Sequence, residues 1–224
     1  MGVIVKTKYV LNENEFQSFL NFCTSDNVWE LSDKILYDLC KKYPANQINN
    51  EIIAKVFLIG RSYAAAIERS GNKEKNPHFY EETVAETIKK DGLIIDNLIE
   101  KAKLSKCDDD ILSLYIQVLK TFSEITKKNN ISLASKYLHF HIPDLFFIYD
   151  SRAGNGINIL LSFLSNTNRL KISQYKEYPE TFEYGKFYFK CKTCIEIIER
   201  KFGRKLTPRQ LDRILLEIDA NSKK

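Results

Sequence analysis

The chain lacks the signals of several protein classes. No stretch of roughly 18 uncharged apolar residues occurs, so no segment is expected to span a membrane. The first residues, MGVIVKTKYVLNENEF, hold no apolar leader core and no small-residue cleavage site, so no secretory leader is expected. Lys6 stands where an N-myristoylation signal needs Ser or Thr. Gly and Pro number only 8 and 5 in 224 residues, which argues against long structureless regions. There is no glycine-rich phosphate loop, no G-x-S-x-G and no H-E-x-x-H. No Arg precedes a His at the short spacing of small helical ribonucleases; Arg69 and His78 come nearest.

Five cysteines are present, Cys23, Cys40, Cys107, Cys191 and Cys194. An odd, scattered set in a chain of this size points to a reducing, cytoplasmic setting rather than a disulfide framework. Cys191 and Cys194 form a CxxC, but it lies inside a helical pattern and has no second pair. Buried thiols are the expectation there, with no metal and no organic cofactor. The formal charge of +5 is uneven. Residues 165–224 carry 14 Lys and Arg against 8 Asp and Glu, whereas residues 1–164 balance to −1. A basic end suits a polyanion, and equally a solvated lysine-rich surface.

What remains is helix. With 44% apolar residues the chain can bury one good core. Helical spacing predicts helices over 13–23 and 28–42, the second capped by Asn27. A longer one is predicted over 48–70, where Ile52, Ile53, Val56, Phe57, Ile59, Gly60, Tyr63, Ala64 and Ile67 cover a wide face. Residues 70–77 read as a polar loop. Gly92 divides a helix over 79–91 from another over 93–104. Asp108 to Asp110 suit the first turn of an amphipathic helix that runs to Lys128. Ser132 caps a short helix over 133–141, and Pro143 ends it. Phe146 to Tyr149 is extended or irregular, helix resumes over 152–165, and 166–185 is irregular. Two final helices cover 187–202 and 208–219, the last started by Thr207-Pro208. Trp29 is assigned to the core. The expected fold class is all-α: a compact multi-helix protein over 1–224, a single helical domain in two lobes with a central cleft.

The segment Ile131 to Ala153 carries the chemistry. It sets Lys136 near the head of a short helix, breaks at Pro143, and places Asp150 at the start of the next helix. On residue types alone Lys136 also fits a surface lysine, and Asp150 an ordinary N-cap. The order of helix, tight turn, lysine-bearing helix, proline and aspartate resembles the helix-hairpin-helix DNA glycosylases. It is most similar to their small bacterial 8-oxoguanine-glycosylase-like members. The matching residues are Ser135-Lys136, Pro143 and Ile148-Tyr149-Asp150-Ser151-Arg152-Ala153, in a core of about 108–165. The hairpin itself, Lys127-Lys128-Asn129-Asn130-Ile131-Ser132, has no glycine; Asn can supply a left-handed residue.

The resemblance implies that Lys136 is a nucleophile and Asp150 its catalytic carboxylate. An amine that attacks a sugar C1′ must be uncharged, so burial should lower its pKa. The carboxylate would stabilise the positive charge that grows as the base leaves. The implied function is excision of a damaged or modified base from double-stranded DNA, by a monomer with no membrane partner. The base must first be flipped out of the stack. Phe146, Phe147, Tyr149, Arg152, Arg61, Tyr63 and His139 are candidates to line the substrate pocket. Arg61 and Glu68 also fit a structural ion pair. Lys127, Lys128, Asn130, Arg204, Lys205 and Arg209 are candidates to touch the DNA backbone, and the Thr207–Pro208 end offers free N–H groups. The competing reading is a non-catalytic helical module that binds nucleic acid or protein.

Overall fold

The computed structural model describes residues 13–23, 28–164 and 182–223. Among them the chain is all helix, with no strand. Its helices are α1 (Glu13–Cys23), α2 (Val28–Lys42), α3 (Asn49–Ser62), α4 (Glu68–Gly71), α5 (Glu86–Ser105), α6 (Asp108–Thr126), α7 (Ile131–His141), α8 (Ser151–Leu164), α9 (Phe182–Phe202) and α10 (Pro208–Asn221). A π-helical segment, Phe79–Ala85, runs directly into α5. The Asn27 cap and residues 166–181 of the stretch read as irregular fall outside the described residues, as does the Trp29 side chain. The rest of that stretch, 182–185, is helical and forms the first turn of α9. None of the described helices is long and apolar enough to cross a membrane.

The helices form because each carries one apolar stripe, and the stripes meet. On α6, Ile111, Leu114, Tyr115, Val118, Phe122 and Ile125 are all buried, at helical spacing. α5 packs along α6; α2 and α3 pack on α7; α8 packs on both α9 and α10; α1 lies on α10. One apolar cluster extends from Phe16 on α1 to Ile218 on α10. Tyr115 of α6 stacks on Tyr184 of α9, ring centres 3.9 Å apart, and so joins the early helices to the late ones.

Three further expectations are corrected. Gly92 does not end a helix; α5 runs straight through it. A Cβ there would lie 2.0 Å from the Asn46 carbonyl oxygen, so the glycine lets the 43–48 turn press onto α5. The predicted helix over 48–70 stops at Ser62 and restarts as α4. Ala64 takes a left-handed conformation, φ 54°, and Ala65 N–H bonds back to Gly60 O at 2.8 Å. Alanines favour helix, so tertiary contacts override local preference here. Ser132 is not a cap; α7 begins at Ile131, one residue before it.

The turn over 43–48 is pinned by a buried polar knot. The Lys55 ammonium, on α3, donates to Tyr43 O (2.9 Å), Ala45 O (2.7 Å) and Asn46 Oδ1 (3.1 Å). Asp96 of α5 accepts from the Asn46 backbone N–H and from its side-chain amide. Burial lowers the Lys55 pKa to about 8.

Candidate active site

α6 and α7 form a tight helical hairpin. α6 ends at Thr126, and Lys127 takes the left-handed conformation, φ 58°. The Asn130 side chain bonds Thr126 Oγ1 and Lys128 O, which closes the turn. The left-handed position is thus a lysine, not an asparagine. Lys127 and Lys128 are exposed at the hairpin tip and Asn130 is half-buried.

Beyond the hairpin, Lys136 points inward from α7 and is only 2% exposed. Its Nζ donates to Ser132 Oγ at 2.7 Å, one turn earlier on α7. It also donates to Tyr63 O at 3.2 Å. That carbonyl lies where α3 breaks, so the helix end supplies an acceptor that a continued helix would have used itself. The third partner is Asp150, whose Oδ2 lies 3.7 Å from Nζ. Pro143 and the non-helical Phe146–Tyr149 segment return the chain past α7. There Ser135 Oγ accepts from Tyr149 N–H at 3.0 Å and fixes the register of the return. Asp150 then serves two purposes. Oδ1 accepts from Ala153 N–H at 2.9 Å and caps α8, while Oδ2 faces the lysine. Its side chain is 33% exposed, so the pair reaches solvent on the aspartate side.

Burial pushes the Lys136 pKa down, against the opposing pull of Asp150 and Asp212. Asp212, on α10, is fully buried and its pKa is pushed up to about 6 by desolvation. One of its oxygens pairs with Arg209 Nη1. The other, Oδ1, has no hydrogen-bond partner among the described residues. Arg209 also pairs with Asp33 on α2 at 2.7 Å, and Tyr63 Oη donates to that same aspartate. The Tyr63 ring stands at the centre: Lys136 Nζ lies 5.9 Å and Arg209 Cζ 5.6 Å from its centroid. Lys136, Tyr63, Asp33, Arg209, Asp212 and Asp150 therefore form one buried polar cluster, drawn from five parts of the chain.

The remaining candidates divide. His139 is buried, with Nδ1 2.7 Å from Phe146 O and Nε2 2.7 Å from Tyr37 Oη. A carbonyl can only accept, so Nδ1 carries the proton and Nε2 accepts from the tyrosine. Burial lowers its pKa to about 4, which keeps the ring neutral. Phe146 and Phe147 are core residues. Phe147 also lines a cleft of about 710 Å³ with Tyr188, Lys192 and Lys205. Tyr149 is half-buried against Phe187 and donates to Glu183. Arg152 pairs with Asp219 at 3.2 Å and donates to Leu216 O at 3.1 Å, which ties α8 to α10. Arg61 is half-exposed and pairs with Glu68 across the break after α3. Arg204 and Lys205 are exposed, whereas the Arg209 side chain is 16% exposed and held by two carboxylates. Thr207 Oγ1 accepts from Gln210 N–H, and Gln210 Oε1 from Thr207 N–H. This capping box uses an N–H that the sequence offered to phosphate.

A second cleft, about 570 Å³, is lined by Asp33, Tyr37, Arg209 and Arg213 among others. A third, about 460 Å³, lies under Pro44, Phe140 and His141. Lys136 and Asp150 line none of these three clefts. Cys191 and Cys194 are buried on α9, where desolvation raises both thiol pKa values. No metal-binding group of His, Cys, Asp or Glu occurs among the described residues.

Sequence reasoning missed Asp33, Lys55 and Asp212, yet each left a trace. Asp33 shares a helical stripe with Leu36, Tyr37 and Cys40; Lys55 with Ile52, Val56 and Ile59; Asp212 with Leu211, Leu215 and Ile218. A charge inside an apolar stripe is the signal, because burying it requires a partner.

A family model described as the N-terminal domain HI_0787_N matches residues 8–145. That span covers more than half of the chain, and the family is one of unknown function. No curated protein and no solved structure matches the chain. The matched span includes Lys136, Tyr63 and Asp33 and ends before Asp150, Arg209 and Asp212.

Proposed function

We propose that this chain, which belongs to the HI_0787_N family, is a DNA glycosylase/lyase-like enzyme that excises a damaged or modified base. Lys136 is its nucleophile and Asp150 the acidic partner. The observation that carries the reading is a desolvated amine 3.7 Å from a carboxylate that itself reaches solvent. Burial favours the uncharged, nucleophilic amine, and Asp150 can take up the proton it sheds. Lys55 is a useful contrast. It is equally buried, but three uncharged oxygens hold it inside a turn, and nothing opens it to a substrate.

In the proposed reaction the nucleotide is flipped out and reaches the amine from the Asp150 side. The Nζ lone pair adds to C1′ as the C1′–base bond breaks. The bonding pair leaves with the base, which takes up a proton. Nζ loses a proton to Asp150, the C1′–O4′ bond opens with protonation of O4′, and an imine joins Nζ to C1′. Loss of a C2′ proton then expels the 3′ phosphate and cuts the strand. Lys127, Lys128, Arg204 and Lys205 are exposed cations available to the backbone.

A second reading has its own support. Lys136 is 3% exposed at the side chain, and Ser132, Tyr63 and Asp150 occupy its donors. A saturated ion pair of that kind also suits a non-catalytic module. Borohydride trapping on duplexes that carry modified bases or an abasic site separates the two. A covalent adduct that disappears in Lys136→Ala supports the enzyme. Absence of an adduct on every duplex, with salt-dependent binding retained, supports the nucleic-acid module. Absence of both leaves a protein-binding role.

A further inference from the structure

Asp212 plays no part in the reaction just described, yet it is placed to influence it. α8 and α10 cross unusually closely: a Cβ on Gly156 would lie 2.2 Å from Leu215 O. The crossing brings α10 against the start of α8, and Arg152 locks it by pairing with Asp219. One turn before Leu215, Asp212 is buried, with one oxygen on Arg209 and the other unpaired. Arg209 and Lys136 both approach the Tyr63 ring, so carboxylate, guanidinium, ring and amine form a continuous chain of contacts.

An unpaired buried carboxylate oxygen costs stability, and a fold retains it only when something else compensates. Arg209 supplies part of the compensation, but Asp33 claims the same guanidinium. Two further cations stand in the cluster. Arg213 pairs with Glu30 and Asp33. Lys136 shares the Tyr63 ring with Arg209, and its charge acts on Asp212. We infer that Asp212 is a positioning residue for Lys136, a carboxylate that holds the amine as ammonium while ionised and releases it when neutralised. The inference rests on the reading of Lys136 as a nucleophile only for its purpose; the coupling itself needs no substrate.

The charged and titratable groups around Asp212 come from every packed element. They are Arg209 and Arg213 on α10, Asp33 and Tyr37 on α2, Tyr63 at the end of α3, Lys136 on α7, Asp150 before α8 and Cys191 on α9. Tyr37, Tyr63 and Cys191 have raised pKa values and stay neutral near pH 7. Desolvation and the nearby Asp150 charge raise Asp212 towards neutrality, and Arg209 and Lys136 pull it back. The same mutual attraction, seen from the lysine, opposes the loss of its proton.

The test reads Lys136 directly, without DNA. The full chain is made with ¹³C- and ¹⁵N-labelled lysine, and the Lys136 Cε and Nζ signals are assigned by their loss in Lys136→Arg. Their titration midpoint is then followed by NMR. In Asp212→Asn the midpoint falls by about one pH unit, a roughly tenfold rise in free amine at a given pH. In Asp212→Glu it stays near the wild-type value. A midpoint in Asp212→Asn that is unchanged or higher overturns the inference, because a merely structural carboxylate would alter stability alone. Should Asp212→Asn fail to fold, the wild-type protein decides. Its Lys136 signals show a second, smaller step as Asp212 titrates near pH 6, and a featureless acid limb overturns the inference. Failure of borohydride trapping would sink the glycosylase reading and leave this titration standing.

Discussion

The carbonyl oxygen of Tyr63 accepts a hydrogen bond from Lys136 Nζ at 3.2 Å, where α3 has ceased to be a helix. One residue thus couples backbone and side chain to the same cluster, since its hydroxyl donates to Asp33. The break that frees this carbonyl and the amine that uses it lie 73 residues apart.

This arrangement makes Lys136→Met and Asp150→Ala unequal. Removing the buried lysine leaves a carboxylate that water can still reach, 33% exposed, so no uncompensated buried charge remains. Lys136→Met also leaves the Tyr63 carbonyl without this donor and should cost about 1 kcal/mol. Asp150→Ala removes a helix cap and strands a buried ammonium, and should cost about 2 kcal/mol. Asp150→Asn keeps an oxygen for the cap and should fall between them. Urea midpoints measure all three, and equal losses in Lys136→Met and Asp150→Ala would contradict the geometry.

Lys55 should behave differently. Lys55→Met leaves two carbonyl oxygens and Asn46 Oδ1 without their donor. A loss of about 3 kcal/mol is expected. The pH dependence has a definite sign. The folded pKa of about 8 lies below the unfolded value of 10.5, so the unfolded state binds more protons between them. The group's contribution is present above the unfolded value and is lost as pH falls through the folded one. The stability of wild type relative to Lys55→Met should therefore rise from pH 8 to pH 10. Chemical denaturation at several pH values reads the slope, and a flat or falling difference would be inconsistent with a depressed amine.

Gly92 and Gly154 give a paired test of close approach. Gly92→Ala drives a methyl into the Asn46 carbonyl, 2.0 Å away, and should cost about 3 kcal/mol or more. Gly154→Ala meets only the Tyr149 ring, at 3.7 Å. It lies inside α8, where Ala is the better helix former, and should gain about 0.5 kcal/mol. Thermal unfolding of both variants distinguishes them.

These positions also show what the sequence could and could not reveal. The buried stripe of α6 and the Thr207–Pro208 start of α10 were legible, because both depend on neighbours within one or two turns. Gly92 was misread because the chain text does not say whether a glycine serves a turn or a close approach; only Asn46, 46 residues earlier, decides that. Ala64 to Ala66 read as helix for the same reason. Lys136 and Asp150 could be picked out from their order around Pro143. Asp212 showed only as a charge within the apolar stripe of α10; its place in the cluster could not be read, since the contacts that give it meaning come from α2, α7 and the start of α8.

The hairpin offers a final prediction. Lys127 holds a left-handed conformation, φ 58°, that costs an ordinary residue about 1 kcal/mol relative to glycine. Lys127→Gly should raise the unfolding free energy by roughly 0.5 kcal/mol after the added chain entropy is counted. A clear loss would mean that the lysine side chain does more than sit exposed at the tip.

The contacts that cross residue 145 bear on how the protein could be dissected. A fragment that stopped at the family boundary would retain Lys136 and Asp33 but shed Asp150, Arg209 and Arg213. It would carry an ammonium with no counter-ion and a carboxylate stripped of both its guanidinium groups. Two lone charges would then face a newly wetted surface. Each half would hold charges that the other pairs, so the severed fragments should recombine when mixed rather than act alone.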